Sequence, residues 1–144
     1  MKTFDLTVSR TIDARPEEVF DAWTDSSKLG AWFGASRLIM NPVVDGLYYL
    51  AVDYEGRTWP HYGRFLRLER PRLVEQTWMS EATRGLESVV TLSIEPRGER
   101  TDLTLTHTGV PDDDEGHKHE EGWASLLEEI EHHLAAQRSQ TTIA

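Results

Sequence analysis

Residues 114–137, DEGHKHEEGWASLLEEIEHHLAAQ, read as one amphipathic helix, and that reading decides the fold class. Trp123, Leu126, Leu127, Ile130 and Leu134 recur at the i, i+3, i+4, i+7, i+11 spacing of one helical face, while Glu128, Glu129, Glu131, His132 and Arg138 fall elsewhere. Burying side chains of this kind gains about 1.5–3 kcal/mol each, an upper bound because the unfolded chain already hides some of that surface. A stripe so apolar needs a cover. The cover must come from the preceding residues, and they read as sheet.

Composition narrows the classes. The chain has 144 residues, 38% of them hydrophobic, which is enough for one domain with its own core spanning residues 1–144. There is no Cys, so disulfides, thiolate metal sites and thiol nucleophiles are excluded. The N-terminus alternates polar and apolar residues and shows neither a signal-peptide core nor a run of transmembrane length, so no membrane partner and a cytoplasmic location are expected. A formal net charge of −10 opposes a phosphate backbone, and nucleic acid is not an expected partner.

From the N-terminus, residues 3–13 alternate, with Phe4, Leu6, Val8, Arg10 and Ile12 on one side, as in a half-buried strand. Pro16 suits a first helical turn, Glu17 and Glu18 favour its positive end, and Val19, Phe20 and Trp23 share a face. Asp25 is an N-cap signal for a second, brief helix stopped by Gly34. Strands then follow at about residues 37–41, 47–53, 58–69, 73–79, 86–95 and 101–108, separated by turn signals such as Asp45-Gly46, Glu55-Gly56 and Arg97-Gly98, with residues 82–85 as a polar link. If the last hairpin pairs Ile94 with Leu103 and Leu92 with Leu105, Val90 faces His107. The order predicts an α+β fold: an antiparallel meander curving around the last helix, with Ser139 to Ala144 fraying.

Several signatures coincide in one order: Arg10 through Asp25 (RTIDARPEEVFDAWTD), Trp32-Phe33-Gly34, Gly63-Arg64-Phe65 before Pro71, Trp78, Glu87 through Thr91, Thr104 through Gly109, and Gly122-Trp123. Together they resemble the activator of heat-shock-protein-90 ATPase homologue-like branch of the START-like (SRPBCC) superfamily, over nearly the whole chain. The resemblance implies a helix-grip (START/Bet v-like) fold, in which a curved seven-stranded antiparallel sheet wraps the C-terminal helix and encloses a mostly hydrophobic cavity, with two short helices after the first strand. It implies no single activity, because the superfamily spans carriers, cyclases and co-chaperone domains. The chain departs from the branch's frequent Arg-x-Gly-Gly pattern, reading Val43-Val44-Asp45-Gly46.

Candidate site residues follow. Trp32, Tyr48, Phe65, Trp78 and Trp123 either line a pocket for a flat hydrophobic ligand or form plain core. His107 ends an apolar strand face and either meets a ligand as a polar group or general acid/base, or closes the core with a hydrogen bond. Ser88 faces inward by alternation, whereas Glu87 either lies beside His107 or points outward. His61 and Tyr62, beside Pro60 on the strand before Gly63, are candidates for a polar group near an opening. His117 and His119, and the pair His132 and His133, lack the i, i+4 spacing of a shared metal ion and are expected to be exposed. Acidic residues 112–115 fit helix capping. No phosphate-cradling loop, nucleophile elbow or paired catalytic carboxylates appear, so no cofactor or metal is expected. The leading expectation is binding of a small hydrophobic or aromatic molecule. The alternatives are a cyclase or hydrolase using His107 as general acid or base, with Glu87 or a Tyr assisting, and a co-chaperone-like partner of an ATPase chaperone. Edge strands and exposed aromatic residues leave homodimerisation open.

Overall fold

The computed structural model describes residues 1–143 in backbone, with side chains described through Arg138. The fraying expected of Ser139 to Ala144 falls outside the fully described residues. After strand β1 (Thr3–Ile12), helices α1 (Pro16–Thr24) and α2 (Ser26–Phe33) carry the chain across to β2 (Ala35–Met40). Strands β3 (Leu47–Tyr54), β4 (Arg57–Glu69), β5 (Leu73–Ser80), β6 (Ser88–Arg97) and β7 (Arg100–Pro111) follow as a meander, and α3 (Asp114–Ile143) ends the described chain. The strands form one seven-stranded sheet in the order β1-β7-β6-β5-β4-β3-β2. Every pairing is antiparallel, so the curved sheet has β1 and β2 as its edges.

Local chemistry sets the helix boundaries. Pro16 opens α1, and the Arg15 backbone N–H donates to Glu18 Oε1 at 3.2 Å. Asp25 ends α1 and starts α2, its carboxylate accepting from the backbone N–H groups of Ser27 at 3.0 Å and Lys28 at 3.2 Å. Gly34, at φ 77°, stops α2 in the left-handed conformation. Asp113 Oδ1 caps α3 by accepting from the Gly116 N–H at 2.8 Å.

The α3 stripe is covered as its periodicity demands. Trp123, Leu127, Ile130 and Leu134 are buried against the sheet and α1 to α2 layer, while Leu126 is half-buried. Arg10, on the inner side of β1, reaches over the same helix and donates to Glu131 Oε1 from Nε at 2.9 Å and from Nη2 at 2.8 Å. The β6–β7 register matches the alternation: Ile94 lies opposite Leu103, Leu92 opposite Leu105, and Val90 opposite His107. One boundary moves. The strand expected from Leu86 begins at Ser88, because residues 81–83 form a 3-10 turn that holds the chain through Leu86, whose N–H donates to the Thr83 carbonyl at 3.0 Å.

Candidate functional site

Alternation brings an aromatic junction to the middle of the grip. Trp78 projects inward from β5 and Trp123 from α3, and their rings meet edge to face with centroids 4.8 Å apart. Phe33, at the end of α2, lies 6.4 Å from Trp78, and Trp23 of α1 lies 6.3 Å from Trp123. Three of these elements are far apart in sequence, so the junction ties α1, α2, β5 and α3 together.

Behind the junction lies a chain of hydrogen bonds. The Trp123 indole N–H donates to His107 Nδ1 at 3.0 Å. That bond needs the Nδ1 lone pair, so the imidazole carries its proton on Nε2 and donates it to Ser88 Oγ at 2.7 Å. Ser88 in turn donates to the Trp78 carbonyl at 2.5 Å. His107 is wholly inaccessible to solvent. Burial, reinforced by the adjacent His119 ring, pushes its pKa down to about 3. Neutral and engaged at both ring nitrogens, it orients Trp123.

On the other side of the junction is a cavity of about 660 Å³, open to solvent. The sheet contributes Val52 and Tyr54 from β3, Trp59 and His61 from β4, and Trp78 and Ser80 from β5. These are the inward positions at the ends of three neighbouring strands, reached by stepping two residues at a time from the buried Leu50, Phe65 and Gln76. The helix contributes Glu115, Lys118, His119, Gly122, Trp123 and Leu126, a single face at alternating three- and four-residue or adjacent steps. Phe33 closes the floor.

The polar groups of the cavity are neutral where they lie deep and charged only at the rim. Burial is the main cause of His61's pKa falling to about 4, with the charge of His119 adding to it and the backbone at Trp59 and Leu50 opposing it. Its Nδ1 lacks a well-formed hydrogen bond. The Trp78 indole N–H also lacks an acceptor, although Trp78 is only 3% exposed. The His119 ring packs at 5.1 Å on His107, and its Nδ1–H donates to the Gly116 carbonyl at 3.0 Å. At the rim Lys118 Nζ donates to Glu115 Oε1 at 3.1 Å. Its pKa is raised first by that hydrogen bond and the Glu115 charge, and further by Asp114 and Glu55.

Of the residues singled out in the sequence, Trp78 and Trp123 line this cavity. Tyr48 and Phe65 are packed in the core beside a void of only about 10 Å³, which Trp78 also touches. Tyr48 donates its hydroxyl to the Thr77 carbonyl at 2.5 Å, and its burial raises the phenol pKa. Trp32 donates to the Ala22 carbonyl at 2.7 Å and belongs to the helix layer. Ser88 and His107 stand behind Trp123, outside the cavity lining. Glu87 points outward, its exposed carboxylate 4.0 Å from Arg64. Tyr62 packs on Tyr49 on the outer face, with centroids 5.2 Å apart.

The two histidines at i and i+2 diverge, as helical geometry requires. His117 stacks on Phe4 at 4.1 Å and contacts Asp112 Oδ1 at 2.7 Å, whereas His119, expected to be exposed, turns into the cavity. Among the described residues no group of three or more His, Asp or Glu side chains could hold a metal ion. Nor, among them, is any helix long and apolar enough to cross a membrane.

A curved antiparallel sheet gripping a long C-terminal helix, with an aromatic cavity open at one end of the grip, defines a helix-grip protein of the START-like class. Residues 13–135 match the family described as Activator of Hsp90 ATPase homolog 1-like protein, and the chain belongs to that family. No curated protein sequence matches it. Among solved structures, it is similar to CalU16 from Micromonospora echinospora (22% identity, TM-score 0.73, covering 96% of this chain and 80% of that one). It is similar to PFC0360w, an HSP90 activator from Plasmodium falciparum (22% identity, TM-score 0.77, 91% and 96% covered). A putative uncharacterized protein from Rhizobium leguminosarum is alike at 16% identity and TM-score 0.79, with 94% and 96% covered. At such identities the likeness is one of fold.

Proposed function

We propose that residues 1–144 act as one START-like domain that binds a small hydrophobic or aromatic molecule in the cavity between the sheet and α3. The observation that carries this reading is the cavity itself: about 660 Å³ walled by Phe33, Trp59, Trp78, Trp123 and Leu126. A void of that size falls in the range of small-molecule sites, and its walls are apolar with a few convergent polar groups. Trp59, Trp78 and Trp123 make their own fluorescence a reporter. Titration of ligand-free protein with neutral naphthalene-type probes should give saturable quenching and a rise in melting temperature. Absence of both across a probe panel refutes the reading.

Two further readings are weighed by the same geometry. The general acid/base role for His107 lacks support here, because both its ring nitrogens are occupied and it does not face the cavity. A chaperone partner has one favourable observation besides the family itself. Ile39, Val43, Val44 and Leu47 are exposed together around the β2–β3 connection, Leu47 at 69%. Capture of an Hsp90-class ATPase by the wild-type protein but not by Leu47→Glu supports that reading, and equal capture by both removes this surface from it.

A further inference from the structure

Resting on the cavity-binding reading above, we infer that the cavity selects a hydrophobic organic cation, an aromatic or alkyl ammonium, over an anion of the same shape. The walls supply the first part of the argument. Aromatic rings present electron-rich faces that attract cations and repel anions, most strongly where water is thin. Trp59 already does so: the Arg57 guanidinium lies 4.0 Å from its ring centroid.

The charges supply the second part. Glu55, Glu115 and Lys118 are the charged side chains lining the cavity. The ammonium of Lys118 is already engaged by Glu115 at 3.1 Å and faces further negative charge from Asp114 and Glu55. An entering carboxylate therefore meets no cation without a partner at the rim and a surplus of like charge. An entering ammonium meets that surplus as attraction. The positive end of α3 offers an anion little more, because Asp113 already caps it at Gly116. Deeper in, the imidazole of His61 is held neutral by burial. The net charge of −10 on the chain acts in the same direction at long range.

The test uses naphthalene probes carrying a trimethylammonium, a hydroxymethyl or a carboxylate group, titrated by tryptophan fluorescence at low ionic strength. The ammonium probe should bind tightest, about tenfold or more ahead of the carboxylate, with the gap narrowing in high salt. Two rim variants carry opposite signs. Glu55→Gln should weaken the ammonium probe, and Lys118→Gln should tighten it, each by about twofold or more. Carboxylate binding equal to or tighter than ammonium binding, or rim variants that leave the gap unchanged, overturns this inference alone. Failure of all three probes to bind overturns the cavity-binding reading and this inference with it.

Discussion

His107 accepts from one aromatic residue and donates to a serine, and this arrangement governs what its neighbours tolerate. Trp123→Phe removes the N–H that satisfies Nδ1, leaving a buried acceptor without a partner, and Ser88→Ala does the same to the Nε2 proton. Each should lower stability by about 1–3 kcal/mol in urea denaturation. The neutrality of His107 also predicts a pH dependence. Its folded pKa of about 3 lies below the ordinary 6.5, so below that pH the unfolded chain takes up a proton that the folded chain refuses. Stability is thus lost as pH falls from 6.5 toward 3, at up to about 1.4 kcal/mol per pH unit for this group. His107→Gln, which keeps an acceptor and a donor, should lose less stability than wild type between about pH 7 and pH 5. Equal acid limbs would show that His107 titrates normally. Alternation placed this histidine inward and opposite Val90, but could not name Trp123 as its partner, since nothing local links a strand end to a helix 16 residues on.

The elements divide by what their inward faces meet. In α3 Leu127, Ile130 and Leu134 meet packed core, whereas the inward positions from Glu115 to Leu126 border the cavity. Ile130→Ala should cost about 2–5 kcal/mol, and Leu126→Ala clearly less, because the half-buried Leu126 leaves no closed void when trimmed. Chemical denaturation of the two variants checks the order. The apolar stripe was legible because packing demands apolar residues at a fixed period. Its continuation through Glu115, Lys118, His119 and Gly122 has the same period but was hidden, because a wall facing a cavity open to solvent need not be apolar. In β4 the decisive residue is Gly63, whose missing side chain leaves room for the Tyr48 ring and the Thr77 carbonyl. A Cβ there would collide with both, so Gly63→Ala should destabilise by about 3 kcal/mol or more, measurable as a lowered denaturation midpoint. Stepping back by two from Phe65 through Gly63 also reaches His61 and Trp59, a signal available in the sequence once β4's inner face is fixed.

For the molecule as a whole, the fold was legible to a degree that the site was not. Seven strands, two short helices and a long one follow from periodicity, caps and turn residues, all of which act within a few positions. Where the sheet and α3 part to leave a cavity depends on which rotamers meet across β5, α2 and α3, and that is a long-range outcome. Hence Tyr48 and Phe65, which read like pocket aromatics, fill the core, while Trp59 and His119 face the void. The proposed binding of a small hydrophobic molecule in this void can be tested directly at Gly122. Gly122 lines the cavity, and a Cβ added there meets nothing within 4 Å. A helical glycine also costs about 1 kcal/mol relative to alanine, so Gly122→Phe should fill the space without unfolding the protein. The measurement is fluorescence titration of a neutral naphthalene probe into wild type and Gly122→Phe, with melting temperatures of both. Saturable binding to wild type and its loss in a variant that melts no lower are expected; undiminished binding to the folded variant would show that the void is not where the probe sits.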